Sequence, residues 1–110
     1  MNEKKWVFDQ APNVAAITTR QVIDEGFAIL VAVHYKDDHS WAFVCGTTSR
    51  TEDGRVIRME EALKVDPTLA LIAALPPGWW ARRSAVGAPW TMELNTDEEE
   101  AEQLTPADGL

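Results

Sequence analysis

The residue types best suited to nucleophilic chemistry in this chain are one cysteine, Cys45, and two histidines, His34 and His39. A cysteine becomes a nucleophile when a nearby base or positive charge lowers the pKa of its thiol. Cys45 alternates with Trp41 and Phe43 in an apolar stretch, so the three side chains share one face of a predicted strand. Apolar surroundings raise the pKa of a thiol. The pattern therefore predicts a buried, inert cysteine and no catalytic residue.

Metal binding is the second chemistry that these residues could support. His34 and His39 flank Asp37 and Asp38, but the chain has a single cysteine and none of the paired ligand spacings of a zinc site. Adjacent aspartates in a short polar segment are typical of a turn. The sequence also contains no glycine-rich phosphate loop and no nucleophile elbow. We therefore expect a protein that is not an enzyme and that has no metal and no cofactor.

Length and composition favour one soluble domain. The chain has 110 residues, of which 45% are hydrophobic and 25% are charged, and this balance fits a single globular core. The first residues lack the apolar run of a signal peptide, and the most apolar stretch, Phe27 to Val33, is too short to cross a bilayer. A lone cysteine fits a reducing compartment. We expect a cytoplasmic protein that has no membrane partner.

The net charge of -8 is concentrated at the C-terminus. Seven acidic residues follow residue 92, with no Lys or Arg among them: Glu93, Asp97, Glu98, Glu99, Glu100, Glu102 and Asp108. We expect a folded domain over residues 1–94 and an acidic, disordered tail over residues 95–110. Such a tail repels phosphates, so nucleic acid is not an expected partner. Two interpretations of the tail stay open: it steers a cationic protein partner, or it only aids solubility.

The chain begins with a polar segment, Met1–Asn13. We expect it to be either an edge strand or an arm that is packed by its aromatic residues. Ala15–Thr18 is typical of a short strand, and a brief helix follows it and ends at Gly26. Phe27–Tyr35 and Trp41–Cys45 are β-branched and aromatic, and the short polar segment between them predicts an antiparallel hairpin. Because Phe27–Tyr35 is apolar on both faces, we expect a central strand that is covered on each side.

The second half of the chain predicts helices and then strands. Thr47–Gly54 is typical of a surface loop, and Ile57–Val65 supplies an apolar side to a helix or to a strand that feeds a helix. Asp66 and Pro67 begin a further helix, which continues to Leu75. Trp79–Arg83 and Trp90–Leu94 are extended. The order of elements predicts an α+β fold: a small, mostly antiparallel sheet with two or three short helices packed on one face.

Three of the five tryptophans lie between residues 79 and 90, and two of them are adjacent. In an extended segment Trp79 and Ala81 lie on one side, and Trp80 and Arg82 lie on the other. We expect Trp79 in the core and Trp80 in solvent beside Arg82, a combination that is enriched at protein interfaces. The alternative is that a second packing layer covers Trp80. Trp80, Arg82 and Trp90 are the candidate partner-binding residues.

Four residue patterns in combination resemble the immunity-protein-33-like family of small bacterial domains of unknown function. These patterns are Trp41-x-Phe43-x-Cys45-Gly46, Leu63-x-x-Asp66-Pro67-Thr68-Leu69, Leu75-Pro76-Pro77-Gly78-Trp79-x-Ala81-x-Arg83 and Pro89-Trp90. The resemblance spans roughly residues 15 to 93. It implies that the protein neutralises a secreted toxin of a competing bacterium, and it implies no enzymatic residues. The family pattern has a polar residue at the position of Trp80, so this chain departs from it there.

Two functional hypotheses follow from the sequence. A third is disfavoured by the apolar surroundings of Cys45. The first is a non-enzymatic immunity protein that blocks a bacterial toxin by stoichiometric binding. The second is a housekeeping domain that acts as a homodimer or as an interaction module, since symmetric dimers are the commonest assembly of small domains. The third is an enzyme that uses Cys45.

Overall fold

A computed structural model describes residues 6–46 and 50–95 of the chain. Within these residues, six short strands alternate with two α-helices and two 3₁₀ helices. The elements are β1 (Ala15–Thr19), α1 (Arg20–Glu25), β2 (Val31–His34), β3 (Trp41–Val44), a 3₁₀ turn (Thr51–Asp53), β4 (Gly54–Arg58), α2 (Met59–Val65), a 3₁₀ helix (Pro67–Ile72), β5 (Trp79–Arg82) and β6 (Thr91–Leu94).

All six strands belong to one sheet with the order β4-β1-β3-β2-β5-β6. β2 and β3 form the predicted antiparallel hairpin, in which Val31 pairs with Val44 and His34 with Trp41. The α+β class is confirmed, but the prediction of a mostly antiparallel sheet is wrong. The sheet is mixed, because α1 carries the chain from β1 past β3 to β2, and the hairpin then returns β3 parallel to β1.

The helices cover one face of the sheet, which we call the inner face. Trp41 and Phe43 on β3, Ala32 on β2 and Ala81 on β5 point to this side and are buried. The buried residues of the helices join them in one hydrophobic cluster: Val22 from α1, Met59 and Ala62 from α2, and Leu69 and Ile72 from the 3₁₀ helix. Packing of these apolar side chains is what holds the helices on the sheet.

Two elements differ from the predicted ones. β2 begins at Val31 instead of Phe27, because the carbonyl of Ile29 accepts hydrogen bonds from the Arg83 guanidinium at 3.2 and 2.8 Å and so is not free for a strand partner. β4 begins at Gly54, the last residue of the predicted loop, and it is a strand that feeds α2, which was one of the two options predicted for this segment. Asp66 caps the 3₁₀ helix as predicted, since its carboxylate accepts a hydrogen bond from the Thr68 amide at 2.9 Å.

The N-terminal segment is an arm and not an edge strand in residues 6–14. The arm packs on the hairpin through Phe8, whose ring lies 4.9 Å from the Trp41 ring in an edge-to-face arrangement. Its Pro12 carbonyl accepts a hydrogen bond from the Glu60 amide, which ties the arm to α2. The predicted tail lies outside the described residues, apart from Asn95. None of the described helices has the length and apolar character needed to cross a membrane.

Candidate interaction surface

The structure separates the residues that could have formed a cysteine–histidine pair. Cys45 is 3% exposed and belongs to the hydrophobic core, and the Thr19 hydroxyl lies 4.0 Å from its sulfur. His34 pairs with Trp41 at the opposite end of β3. Four residues of extended chain separate Trp41 from Cys45, a distance of about 13 Å. His39 lies in the hairpin turn, with its ring 5.9 Å from the His34 ring.

A row of apolar side chains crosses the face of the sheet opposite to the helices, which we call the outer face. The pairing registers place one residue from each of five neighbouring strands in line, and we call these residues the outer row: Val56, Ile17, Ala42, Val33 and Trp80. Val56 is 68% exposed and Ile17 is 40% exposed. The prediction that both faces of β2 are covered is therefore wrong, because Val31 and Val33 are only half-buried on this side.

Trp80 and Arg82 lie together at one end of the outer row, as the alternation of the strand predicts. The Arg82 guanidinium carbon is 5.0 Å from the centre of the Trp80 ring. Glu93 stands opposite Trp80 on β6, and its carboxylate is 3.7 Å from Arg82. Trp79, by contrast, packs against the core. Trp80 is half-buried, so part of its side chain is exposed beside Arg82.

Trp90, the third candidate residue, lies on the other side of β5. Its ring packs against the core and stacks on Arg83, with the guanidinium carbon 4.3 Å from the ring centre. Arg83 is buried and forms an ion pair with Asp66, and it also donates a hydrogen bond to the Thr68 hydroxyl at 2.9 Å. Burial raises the pKa of the Asp66 carboxyl, but hydrogen bonds from Thr68 and Arg83 outweigh it and lower that pKa below its usual value. The structure thus brings Trp80 and Arg82 together on the outer face, and it packs Trp90 against the core and Arg83 on the other side of β5.

Comparisons with family models, with curated proteins and with solved structures found no match for this chain. The resemblance to the immunity-protein-33-like family therefore stays a prediction.

Sequence reasoning missed most of the outer row. Ile17 and Val56 are 39 positions apart in the chain, and only the pairing of β1 with β4 shows that they are adjacent. Val31 and Val33 lie in a stretch that is apolar on both faces, so the sequence predicts a doubly covered strand and does not mark their side as exposed. Among the described residues, no three His, Cys, Asp or Glu side chains are grouped so that they could hold a metal ion.

Proposed function

We propose that this chain is a non-enzymatic binding protein that docks another protein on the outer face of its sheet. The observation that carries the proposal is the outer row, an apolar strip in which Val56 is 68% and Ile17 40% exposed, Val33 and Trp80 are half-buried, and Ala42 is 3% exposed. A contiguous exposed apolar surface with polar residues at its margin is characteristic of interaction sites. In this chain the margin consists of Arg58, Arg82 and Glu93, which flank or end the row.

Trp80 and Arg82 would be the anchor residues of this surface. Trp and Arg are enriched among the few residues that supply most of the binding energy of an interface. The contact between their side chains orients the indole before a partner binds, since the guanidinium lies 5.0 Å from the ring centre. A pre-oriented side chain loses less conformational entropy on binding. The arrangement therefore favours tight docking of an apolar side chain of the partner beside the Trp80 ring.

The partner that we propose is a toxin domain, which the protein would neutralise in the cytoplasm. Inhibition of this kind occurs by occlusion: a bound protein blocks the toxin's active surface and needs no catalytic group of its own. A flat sheet face with a few anchors suits that task. The resemblance to the immunity-protein-33-like family supports the same hypothesis, that the partner is a toxin domain.

Binding to a candidate toxin tests the proposal. The probe is the toxin domain of a secreted protein encoded beside this gene, titrated by calorimetry. We expect a one-to-one complex, and we expect Trp80→Ala to weaken it by about 2 kcal/mol, roughly 30-fold in Kd. Leu71→Ala is the matched control, because Leu71 is 72% exposed but lies on the 3₁₀ helix at the inner side. Equal affinities of the wild type and Trp80→Ala would contradict the proposed docking surface.

The second candidate function is that of a homodimer joined through the same face. The observation that favours it is the charge at the two ends of the outer row: Arg58 lies on β4 and Glu93 on β6. A two-fold axis parallel to the strands would stack two outer faces and place Arg58 of one copy against Glu93 of the other. Light scattering over a range of concentrations distinguishes the two functions. A mass that stays monomeric at every concentration would reject the homodimer and leave the binding of a different protein.

A further inference from the structure

Both ring nitrogens of His34 lie within hydrogen-bond distance of an oxygen atom. His34 is 3% exposed, and its Nδ1 lies 2.7 Å from the Leu75 carbonyl oxygen, which can only accept a hydrogen bond. Its Nε2 lies 3.0 Å from Asp9 Oδ2, and an ionised carboxylate also only accepts. A neutral ring has one N–H and cannot donate to both. Opposite an ionised Asp9, both contacts are hydrogen bonds only when both ring nitrogens carry a proton.

This ring is also the attachment point of the N-terminal arm. The second oxygen of Asp9 accepts a hydrogen bond from Trp41 Nε1 at 2.9 Å, and the Trp41 ring stacks on His34 with centroids 4.0 Å apart. Next to Asp9 in the arm, Phe8 is buried, and Gln10 donates a hydrogen bond to the His39 carbonyl. The Asp9 carboxylate thus joins the arm to the hairpin through a group that gains and loses a proton.

The charged and titratable groups near His34 come from the arm and from the hairpin turn. The arm supplies Asp9, and the turn that follows His34 in the chain carries Tyr35, Lys36, Asp37, Asp38 and His39, of which the His39 ring lies 5.9 Å from the His34 ring. Hydrogen bonds from Ser40 hold the pKa of the Asp38 carboxyl below its usual value, so this group is ionised near neutral pH. The remaining neighbours are uncharged: Trp41 on β3, Trp79 opposite His34 on β5, and the Leu75 carbonyl.

We propose that the second proton of His34 is a latch that controls how firmly the N-terminal arm is held on the sheet. Histidine side chains exchange this proton between about pH 5 and 8. When His34 loses this proton, Nε2 presents a lone pair to the Asp9 carboxylate. Two hydrogen-bond acceptors then face each other with no hydrogen atom between them. The arm, residues 6–14, then loses the His34–Asp9 hydrogen bond and keeps the packing of Phe8, the hydrogen bonds of Gln10 with His39 and of Asp9 with Trp41, and its backbone contacts. It opens more often as the pH rises, and it exposes the Trp41 edge of the core when it does.

Nuclear magnetic resonance of the wild-type protein tests the latch directly. We expect the ring nitrogens of His34 to be doubly protonated while the arm is docked. The Trp41 indole N–H, which bonds to Asp9, and the Glu60 amide, which bonds to the Pro12 carbonyl, report on arm opening. Their hydrogen-exchange protection factors, each relative to the intrinsic rate at the same pH, should fall at least tenfold as His34 deprotonates. A neutral His34 ring under a docked arm would overturn the proposal.

Asp9→Asn gives a second test, because it should reverse the sign of the pH dependence. An asparagine amide can donate to the lone pair of a neutral His34 and still accept from the Trp41 indole. The arm of this variant should therefore be held better at high pH than at low pH. Asp37→Asn is the matched control: it makes the same charge change in the exposed turn and should keep the wild-type dependence. The same pH dependence in Asp9→Asn as in the wild type would contradict the latch.

Discussion

The two faces of the sheet are built from the same strands, yet they differ sharply in what covers them. On the inner face Trp41 and Phe43 are 0% exposed, while on the outer face Ile17 is 40% and Val56 68% exposed. Strand type does not explain the difference, since β1 and β3 contribute to both faces. What differs is that all the buried helical residues pack on one side. Alternation along a strand assigns side chains to faces, but the connections between strands decide which face becomes the core.

The largest expected difference between the two faces is in how much two adjacent arginines contribute to the free energy of unfolding. Arg83 is buried on the inner side, where it pairs with Asp66 and binds the Ile29 carbonyl, and Arg82 is exposed on the outer side. Arg83→Met leaves a buried carboxylate without its cation and should lower the free energy of unfolding by about 3–5 kcal/mol. Arg82→Met should change it by about 0.5 kcal/mol or less. Urea denaturation of both variants measures the difference.

The effect of Arg83→Met should also depend on pH. The pKa of Asp66 is lowered in the folded protein, so its ion pair contributes fully above the pKa of an unfolded aspartate, about 3.9. That contribution is lost as the pH falls through the lower, folded pKa. The difference in the free energy of unfolding between the wild type and Arg83→Met should therefore become smaller in acid. A gap that stays constant from neutral pH to below pH 3.9 would show that packing, and not charge pairing, is what Arg83 supplies.

The next prediction compares the same truncation, isoleucine to alanine, on the inner and on the outer face of the sheet. Ile72 is 0% exposed over the inner face, and Ile17 is 40% exposed in the outer row. Ile72→Ala should lower the free energy of unfolding by about 2–5 kcal/mol, because it removes buried methyl groups and leaves a cavity. Ile17→Ala should lower it by about 1 kcal/mol, since solvent already reaches that side chain. Equal losses in denaturant titrations would mean that something covers the outer face.

The sequence supported the class of the fold and several local features, each with a local cause. The hairpin from Val31 to Val44 follows from two apolar runs joined by a turn, and the Asp66 cap follows from Asp-Pro at a helix start. The division of Trp79 from Trp80 follows from strand alternation alone. These features needed no knowledge of which strands pair.

The rest depended on contacts between residues far apart in the chain. The parallel pairing of β1 with β3 is set by where α1 carries the chain, which no local pattern reports. No local pattern marks Arg83 as a buried cation, because its partner Asp66 lies 17 positions away. Asp9 and His34, which carry the proposed latch, are separated by 25 positions. Buried polar networks of this kind become visible only when the backbone has placed their members.

The smallest stability effect is expected at Val56, and this makes it the sharpest probe of what the outer face does. Val56→Thr keeps a β-branched side chain on β4 and adds a hydroxyl at a position that is 68% exposed, so the free energy of unfolding should change by about 0.5 kcal/mol or less. If the outer row docks a partner, the same hydroxyl must be desolvated there, and binding should weaken by about 1–3 kcal/mol. Thermal denaturation and calorimetric binding of one variant separate the two quantities. Unchanged binding would restrict the interface to the Trp80 end of the row, and a large loss of stability would show that Val56 is part of the folded core.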